Sequence, residues 1–465
     1  MDPSQPILVF DNGGHSIKST WTSPLDAYAS LAPNAVQTYR NAIVRSKNEK
    51  RSYIADEWDQ CQDFGGLTFR VPVDKGILNN WEIEKQIWDR VFSGKGRTLK
   101  FDPRSTSIAI TEPIMNLPNV QEHYDQMIFE EYDFNHYLRI PGPSTIPYGL
   151  DARFGSPQVH PPECCLVVDA GFSFTHVVPI LRGSIISSGV KRIDIGGKLL
   201  TNYLKELVSY RHWYMMDQTS VMEHAKETAC YVSTQWEQDW EAANANTNNS
   251  IVRTYVLPDF TPESNNKLGY VRTGQTPPPQ PPTPPPLAPG QDPTTQVEIV
   301  APPQEEEQLL YLCNERFTVP EVLFTPTTIE LNQAGLAESI ANSIQQLPIE
   351  LQGMFWNNIV CVGGSVGFEG FGQRLQNDLR SLAPQEHSVK VIISRSPLNS
   401  ITTSLATALS QPFVSHPPCY SHPPLQQAFV SRQEYQEMGS NACRRKFARF
   451  YWKDERSLGM ELATG

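Results

Sequence analysis

No uncharged apolar run in this 465-residue chain approaches the roughly 20 residues that a bilayer-crossing helix needs. The N-terminal MDPSQPILVF also lacks a basic segment ahead of a long apolar one, so neither a membrane span nor a secretory leader is expected. Eight cysteines (Cys61, Cys164, Cys165, Cys230, Cys313, Cys361, Cys419 and Cys443) form no CxxC pair, no Cys/His cluster and no regular spacing, which argues against zinc and against a disulfide framework. A soluble chain from a reducing compartment is the expectation. Positive charge is in deficit as well: 38 Lys and Arg stand against 50 Asp and Glu, net −12. That balance argues against a dominant DNA-backbone-binding surface and suits a basic partner, although acidic soluble proteins are common. Hydrophobic content is low at 39% partly because the chain holds 39 prolines, concentrated in one stretch. The remainder has the composition of ordinary globular protein, with length for two to four structural units.

Against these absences stand two short turns, DNGGHSIK at 11–18 and DAGFSFTH at 169–176. Each follows an apolar strand-like run, Ile7-Leu8-Val9-Phe10 and Leu166-Val167-Val168. In each, an Asp ends the strand, Gly permits a tight turn, and small hydroxylated residues follow. Two such tips facing each other can hold a polyphosphate between backbone N–H groups while the two Asp residues orient a metal. Either turn alone would be ordinary turn chemistry. Paired, and joined by Gly363-Gly364-Ser365 after the apolar Ile359-Val360-Cys361-Val362, they predict a two-lobed nucleotide clamp.

Spacing of apolar residues predicts helices over WEIEKQIWDRVF after Asn80, over KLLTNYLKELVSY after Gly196-Gly197, and over 336–347 up to Pro348. SIISSGVKRIDI reads as a strand, and a helix is expected after Gly363-Gly364-Ser365, its N-terminus adding a favourable dipole. Between about 236 and 310 the character changes: NANTNN is polar and TGQTPPPQPPTPPPLAPGQDP fits neither a helix interior nor a central strand. An extended, solvated insertion is expected there, with ordered structure resuming at Tyr311. Its PxxP spacing is cheap as an adaptor signal, and EEE at 305–307 reads as a solubilising run.

Several further segments resemble the actin family: NERFTVPEVLF at 314–324, DKGILNNWEIEKQIW at 74–88, TEPIMNLP at 111–118 and SRQEYQEMG at 431–439. The resemblance spans nearly the whole chain outside 236–310. FSFTHVVP and KRIDIGGKLLTNYLKELVSYR are most similar to a nuclear branch of that family, found in the remodelling complex that exchanges a variant histone into nucleosomes. It implies an α/β, actin-like two-lobed fold of duplicated ribonuclease-H-like domains. The first lobe would take 1–155 and 390–465, with a small inserted subdomain at about 38–72. The second would take 156–389, with an inserted subdomain at about 198–318 containing a disordered proline-rich insertion at about 262–308.

The resemblance also implies ATP or ADP with Mg in the cleft. Phosphate-loop roles fall on Asp11, Gly13, Gly14 and Lys18, and opposite them on Asp169 and Gly171. Asp11 and Asp169 would hold the metal through water. Gly197, Lys226 and Glu227 match the adenosine end, and Gly363, Gly364 and Ser365 the backbone approach to the nucleotide. Taken alone, Lys18 would be a surface lysine after a strand, and Lys226-Glu227 an exposed helical charge pair. Partners implied are a remodelling ATPase, its companion subunits, and histones or the nucleosome through them; the location implied is nuclear, with the cytoplasm as the alternative.

The chain departs from the actin pattern where chemistry would occur. Gly14 and His15 replace a serine-glycine pair, removing a hydroxyl donor, while Phe172 stands where actins carry an acidic residue and Ser173 where they carry Gly. His176 keeps the position associated with the attacking water, but IPGPSTIPYGLDARFG offers no convincing second water-orienting glutamine, so turnover should be slow. Phe368 replaces a tyrosine, and SPLNSITTSLATAL lacks the aromatic-Gly-Gly pattern, which puts contacts from 396–406 in question. KNEKR occupies the tip where actins extend an apolar loop into the next subunit, so a homopolymer is not expected. The leading expectation is a non-catalytic structural subunit; an active actin-like ATPase is the alternative, and a small-molecule kinase a weaker third.

Overall fold

The computed structural model describes residues 7–22, 36–47, 50–61, 64, 66–96, 99–150, 163–245, 250–259, 266–272, 307–394, 397–410 and 425–452. Two mixed β-sheets with matching plans organise them. In the first, the strands run Val430–Ser431, His136–Pro141, Ser107–Glu112, Ile7–Asn12, Ser16–Trp21 and Gln37–Arg40. In the second, they run Ser184–Ile185, Thr175–Leu181, Cys164–Ala170, Ile359–Val362 and Val391–Ile393, with Lys191–Ile193 also pairing to Thr175–Leu181. Each sheet carries an antiparallel hairpin beside a parallel neighbour, and the hairpins share one register. Asp11 pairs with Lys18 and Asn12 with Ile17; Asp169 pairs with His176 and Ala170 with Thr175.

Central strands are buried on both faces, which is why Leu8-Val9-Phe10 and Leu166-Val167-Val168 are apolar without alternation. Helices supply the covering layers. Trp81–Val91 starts where the Asn80 side chain accepts the Ile83 N–H at 3.1 Å, and buries Ile83, Ile87, Trp88 and Val91. Gly197–Arg211 buries Leu200, Leu204 and Val208 at helical spacing, and Leu336–Gln345 buries Leu336, Ile340 and Ile344. A small sheet of Ile43–Ser46, Ser52–Ile54 and Leu67–Arg70 has its own apolar cluster of Tyr53, Cys61 and Phe64. Another joins Arg253–Val256, Tyr270–Val271 and Leu309–Leu312. Among the described residues no helix is long and apolar enough to cross a membrane.

Four expectations are corrected. SIISSGVKRIDI is not one strand: a 3-10 turn at Ser187–Gly189 separates Ser184–Ile185 from Lys191–Ile193. Gly189 is required there, since a Cβ would lie 2.7 Å from Pro179 and 2.9 Å from Leu347. Gly364–Gly367 is a 3-10 turn and the α-helix begins only at Phe371, so no long helix dipole points from Gly363-Gly364-Ser365. Val391–Ile393, assigned by a boundary at 390 to the first lobe, is an edge strand of the second sheet because it pairs with Ile359–Val362. Tyr270–Val271, inside the expected insertion at 262–308, is a strand, and Leu309–Leu312 resumes order two residues before Tyr311. The proline-rich core at 273–306 and the 151–155 end of IPGPSTIPYGLDARFG lie outside the described residues.

Candidate functional site

A cavity of about 640 Å³ opens between the two sheets. From the first hairpin it is lined by Asp11, Gly13, Gly14 and Lys18; from the second by Asp169, Gly171 and His176. Gly197, Lys226 and Glu227 form another wall, and Gly363, Gly364 and Ser365 close the floor. Every site residue anticipated from sequence therefore meets at one cavity.

The first tip is braced from behind by residues that sequence reading missed. Asn41 Nδ2 donates to the Gly13 carbonyl at 2.9 Å, and the Asn41 N–H to the His15 carbonyl at 3.0 Å. Asn12 Nδ2 donates to Glu84 Oε1 at 2.6 Å and to the Tyr124 hydroxyl at 3.0 Å, while Trp88 Nε1 donates to Asn12 Oδ1 at 3.3 Å. With its carbonyls thus occupied, the tip leaves the N–H groups of Gly14 and His15 without a protein acceptor among the described residues. The second tip is built alike. Gly197 N–H donates to the Gly171 carbonyl at 3.0 Å and Lys198 N–H to the Phe172 carbonyl at 2.9 Å, so the Phe172 and Ser173 N–H groups remain free in the same sense. Two such sets of unspent amide donors are the groups that a seat for an anion requires.

Charge is arranged around that seat. Asp11, buried, accepts from Thr111 Oγ1 at 2.6 Å and from Lys18 Nζ at 3.3 Å. Asp169 has its carboxyl pushed up to about 7, by desolvation in the cleft wall and then by the Asp11 carboxylate, with Lys18 pulling the other way. The two Asp residues are thus close enough to feel each other's charge, and a cation between them would relieve the repulsion. Among the described residues no three or more His, Cys, Asp or Glu side chains converge on a metal position. The donor set here is two carboxylates, which fits a largely hydrated Mg completed by phosphate oxygens.

Lys226 is buried, in contrast to the exposed pair its helix position suggests; Nζ donates to the Gly197 carbonyl at 3.1 Å and to Thr201 Oγ1 at 2.9 Å. Glu227 stays exposed at the cavity rim, its carboxyl raised by partial desolvation and by Glu223. His176 is buried against the Phe174 ring at 4.2 Å; burial, then Arg192, pull it down to about 4, leaving a neutral imidazole at pH 7. On the far side Phe368, Leu398 and Ile401 give an apolar wall. Leu398, Asn399 and Ile401 therefore do line the cavity although their segment lacks the aromatic-Gly-Gly pattern.

The position where a hydroxyl is missing from the first turn has one close by on the second. A Cβ built on Gly14 would lie 3.0 Å from Ser173 Oγ and 3.2 Å from Val73 Cγ1. The Ser173 hydroxyl, from the opposite hairpin, thus lies against the face of Gly14 from which a side chain would project. Serine in the second turn and glycine in the first are complementary, which neither turn reveals by itself.

Comparison with known proteins adds family evidence. The family model described as Actin matches residues 2–448. The Actin-like protein ARP6 of Cryptococcus neoformans is 44% identical over 448 residues, covering 96% of this chain and 85% of that protein. Actin-related protein 6 of Oryza sativa is 34% identical over 448 residues, covering 95% and 98% respectively. Actin-related protein 6 of Drosophila melanogaster is 34% identical over 394 residues, covering 84% and 90%.

Proposed function

The chain belongs to the actin family and has its two-lobed fold, and from that premise we propose that it is a non-catalytic structural subunit of a nuclear chromatin-remodelling complex that exchanges a variant histone into nucleosomes. It holds ATP or ADP with Mg as a structural ligand. The observation that carries the nucleotide reading is the pair of equivalent hairpins, each with an Asp at one register position and unspent N–H groups at its tip. Lys18 would hold the β- and γ-phosphates, Lys226 and Glu227 the sugar, and Phe368, Leu398 and Ile401 the base. Bound Mg supplies charge neutralisation between the phosphates and the carboxylates of Asp11 and Asp169.

Support for a structural rather than catalytic role comes from the cavity wall. Phe172 offers neither charge nor side-chain hydrogen bond, and Pro143 lines the wall within the segment searched for a second water-orienting group. A neutral His176 can accept a proton from water, and this favours slow turnover as the second reading. Single-turnover measurement separates them: rapid hydrolysis lost in His176→Ala would overturn the structural role. The subunit works as a monomer within a hetero-complex, consistent with the charged tip at Lys47, Lys50 and Arg51 between two strands of the small sheet. Its partners are the remodelling ATPase, companion subunits, and histones through them. Purification from nuclei without a remodelling ATPase would count against this placement.

The direct test is equilibrium titration with MgADP and MgATP. Lys18→Ala should weaken binding about tenfold to a hundredfold, the equivalent of one charge-assisted hydrogen bond. Absence of binding by the unmodified protein would remove the nucleotide reading. A finer expectation concerns the exchanged hydroxyl. Ser173→Gly should weaken MgATP about threefold to tenfold, and adding Gly14→Ser in that background should restore it. Gly14→Ser alone should also weaken binding, because its Cβ crowds Ser173 and Val73. If the double variant binds no better than Ser173→Gly, the exchange is not real.

A further inference from the structure

His15 sits at the tip of the first hairpin and Arg40 ends the strand beside it; Glu223 lies on the helix Thr219–Ala229 across the cavity. Arg40 Nη1 donates to Glu223 Oε2 at 3.1 Å. His15 Nε2 is 2.9 Å from Glu223 Oε1 and 2.6 Å from Arg40 Nη1. A protonated Nε2 donates to Glu223 and a bare Nε2 accepts from Arg40, so each tautomer makes one of the two His15 contacts while the Arg40–Glu223 pair holds in both. The His15 ring also packs on Phe172 of the second hairpin, centroids 4.7 Å apart. Arg40 is anchored from its own side by the Trp58 and Phe69 rings, 5.7 and 5.2 Å away.

The cluster is desolvated enough for these contacts to count. Burial alone would raise the Glu223 carboxyl, yet His15 and Arg40 overcompensate and hold it well below the ordinary carboxylate range. Three other contacts cross between the same halves, two of them away from the cavity. Lys267 Nζ donates to the Cys61 carbonyl at 3.0 Å, and Leu268 packs on the Tyr53, Cys61 and Phe64 cluster. The Phe174 ring lies directly over Gly76, where a Cβ would come within 1.7 Å.

We propose that His15, Arg40 and Glu223 form a seal across the cleft mouth that holds the two halves closed without nucleotide and makes bound nucleotide slow to leave. Closure rests only on contacts within the chain; retention rests additionally on the nucleotide reading above. A site sealed by its own side chains serves a retained ligand and suits a rigid structural part. A site that must exchange product for substrate at every turnover gains nothing from such a barrier.

The test uses charge reversal with rescue on the full-length protein. Arg40→Glu and Glu223→Arg should each speed release of a fluorescent ADP by about tenfold or more, as loss of a desolvated charge pair acts mainly on dissociation. The double reversal should return the rate toward that of the unmodified chain. In parallel, backbone hydrogen exchange without nucleotide should rise at the two hairpin tips in each single variant and fall back in the double. If the unmodified chain binds no ADP while the exchange pattern behaves as stated, the nucleotide reading fails and the seal stands. Unchanged hydrogen exchange in both single variants, or no recovery in the double, would overturn the seal.

Discussion

Gly363→Ala is expected to lower the unfolding free energy by more than about 3 kcal/mol, because it combines a glycine-only backbone conformation with direct contact to a neighbouring strand. Gly363 has φ 97° and ψ 165°, and a Cβ there would lie 2.4 Å from the Ala170 carbonyl oxygen and 2.6 Å from its carbon. Neither obstacle can rotate away, since both belong to the backbone of the central strand Cys164–Ala170. That strand pairs directly with Ile359–Val362, Asp169 opposite Val362, so relief of the clash is expected to shift Asp169 as well. Denaturant unfolding of the purified variant gives the stability change, and nucleotide titration the consequence for the site. Gly367→Ala is the matched control. Nothing lies within 4 Å of its Cβ and its φ is not left-handed, so a change within about 0.5 kcal/mol is expected. Equal stabilities for the two variants would refute the argument.

Glu84→Gln should do the opposite at alkaline pH. Glu84 is fully buried on the helix Trp81–Val91, and desolvation raises its carboxyl to about 7, with the polar neighbours Asn12, Trp88 and Asn41 pulling back. Its Oε2 and the Asn41 Oδ1 are both buried acceptors without a hydrogen-bonded partner. A proton on Glu84 removes the cost of burying its charge. The sign follows: an acid whose folded pKa lies above its unfolded value stabilises fully below the unfolded pKa, and that contribution is lost as pH rises through the folded one. The window therefore runs from the ordinary glutamate range up to about 7. Glutamine keeps the acceptor for Asn12 and does not titrate. At pH 8 the variant should be more stable by up to about 3 kcal/mol, and near pH 4 the two should coincide. Urea unfolding at several pH values reads this difference directly. A variant no more stable at pH 8 would show that Glu84 is ionised without cost in the folded protein.

These two positions also show different depths of legibility. Gly363 was visible in the sequence because an apolar run followed by paired glycines is a local signal, set by φ/ψ freedom over a few residues. The Asp-bearing hairpins and the three amphipathic helices were legible for the same reason. Glu84 was not legible as part of the site, since as one charge on an amphipathic helix it resembles its solvent-facing neighbours. Only the packing of that helix behind the first hairpin turns it toward Asn12.

What the sequence by itself determined, then, is the pair of glycine-bearing turns, the apolar strands feeding them and the helical faces that cover the sheets. Each is specified by short-range backbone preference and by the periodicity of apolar residues. Tertiary structure decided the rest: Thr111 on Asp11, Asn41 on Gly13, Ser173 in the space left by Gly14, and Glu223 against His15 and Arg40. It also placed Val391–Ile393 in the second sheet. Partners such as Arg40 and Glu223 are separated by 183 residues, and no local preference couples them. They meet because each half folds around its own core and the closed cleft then brings the two surfaces within hydrogen-bonding distance.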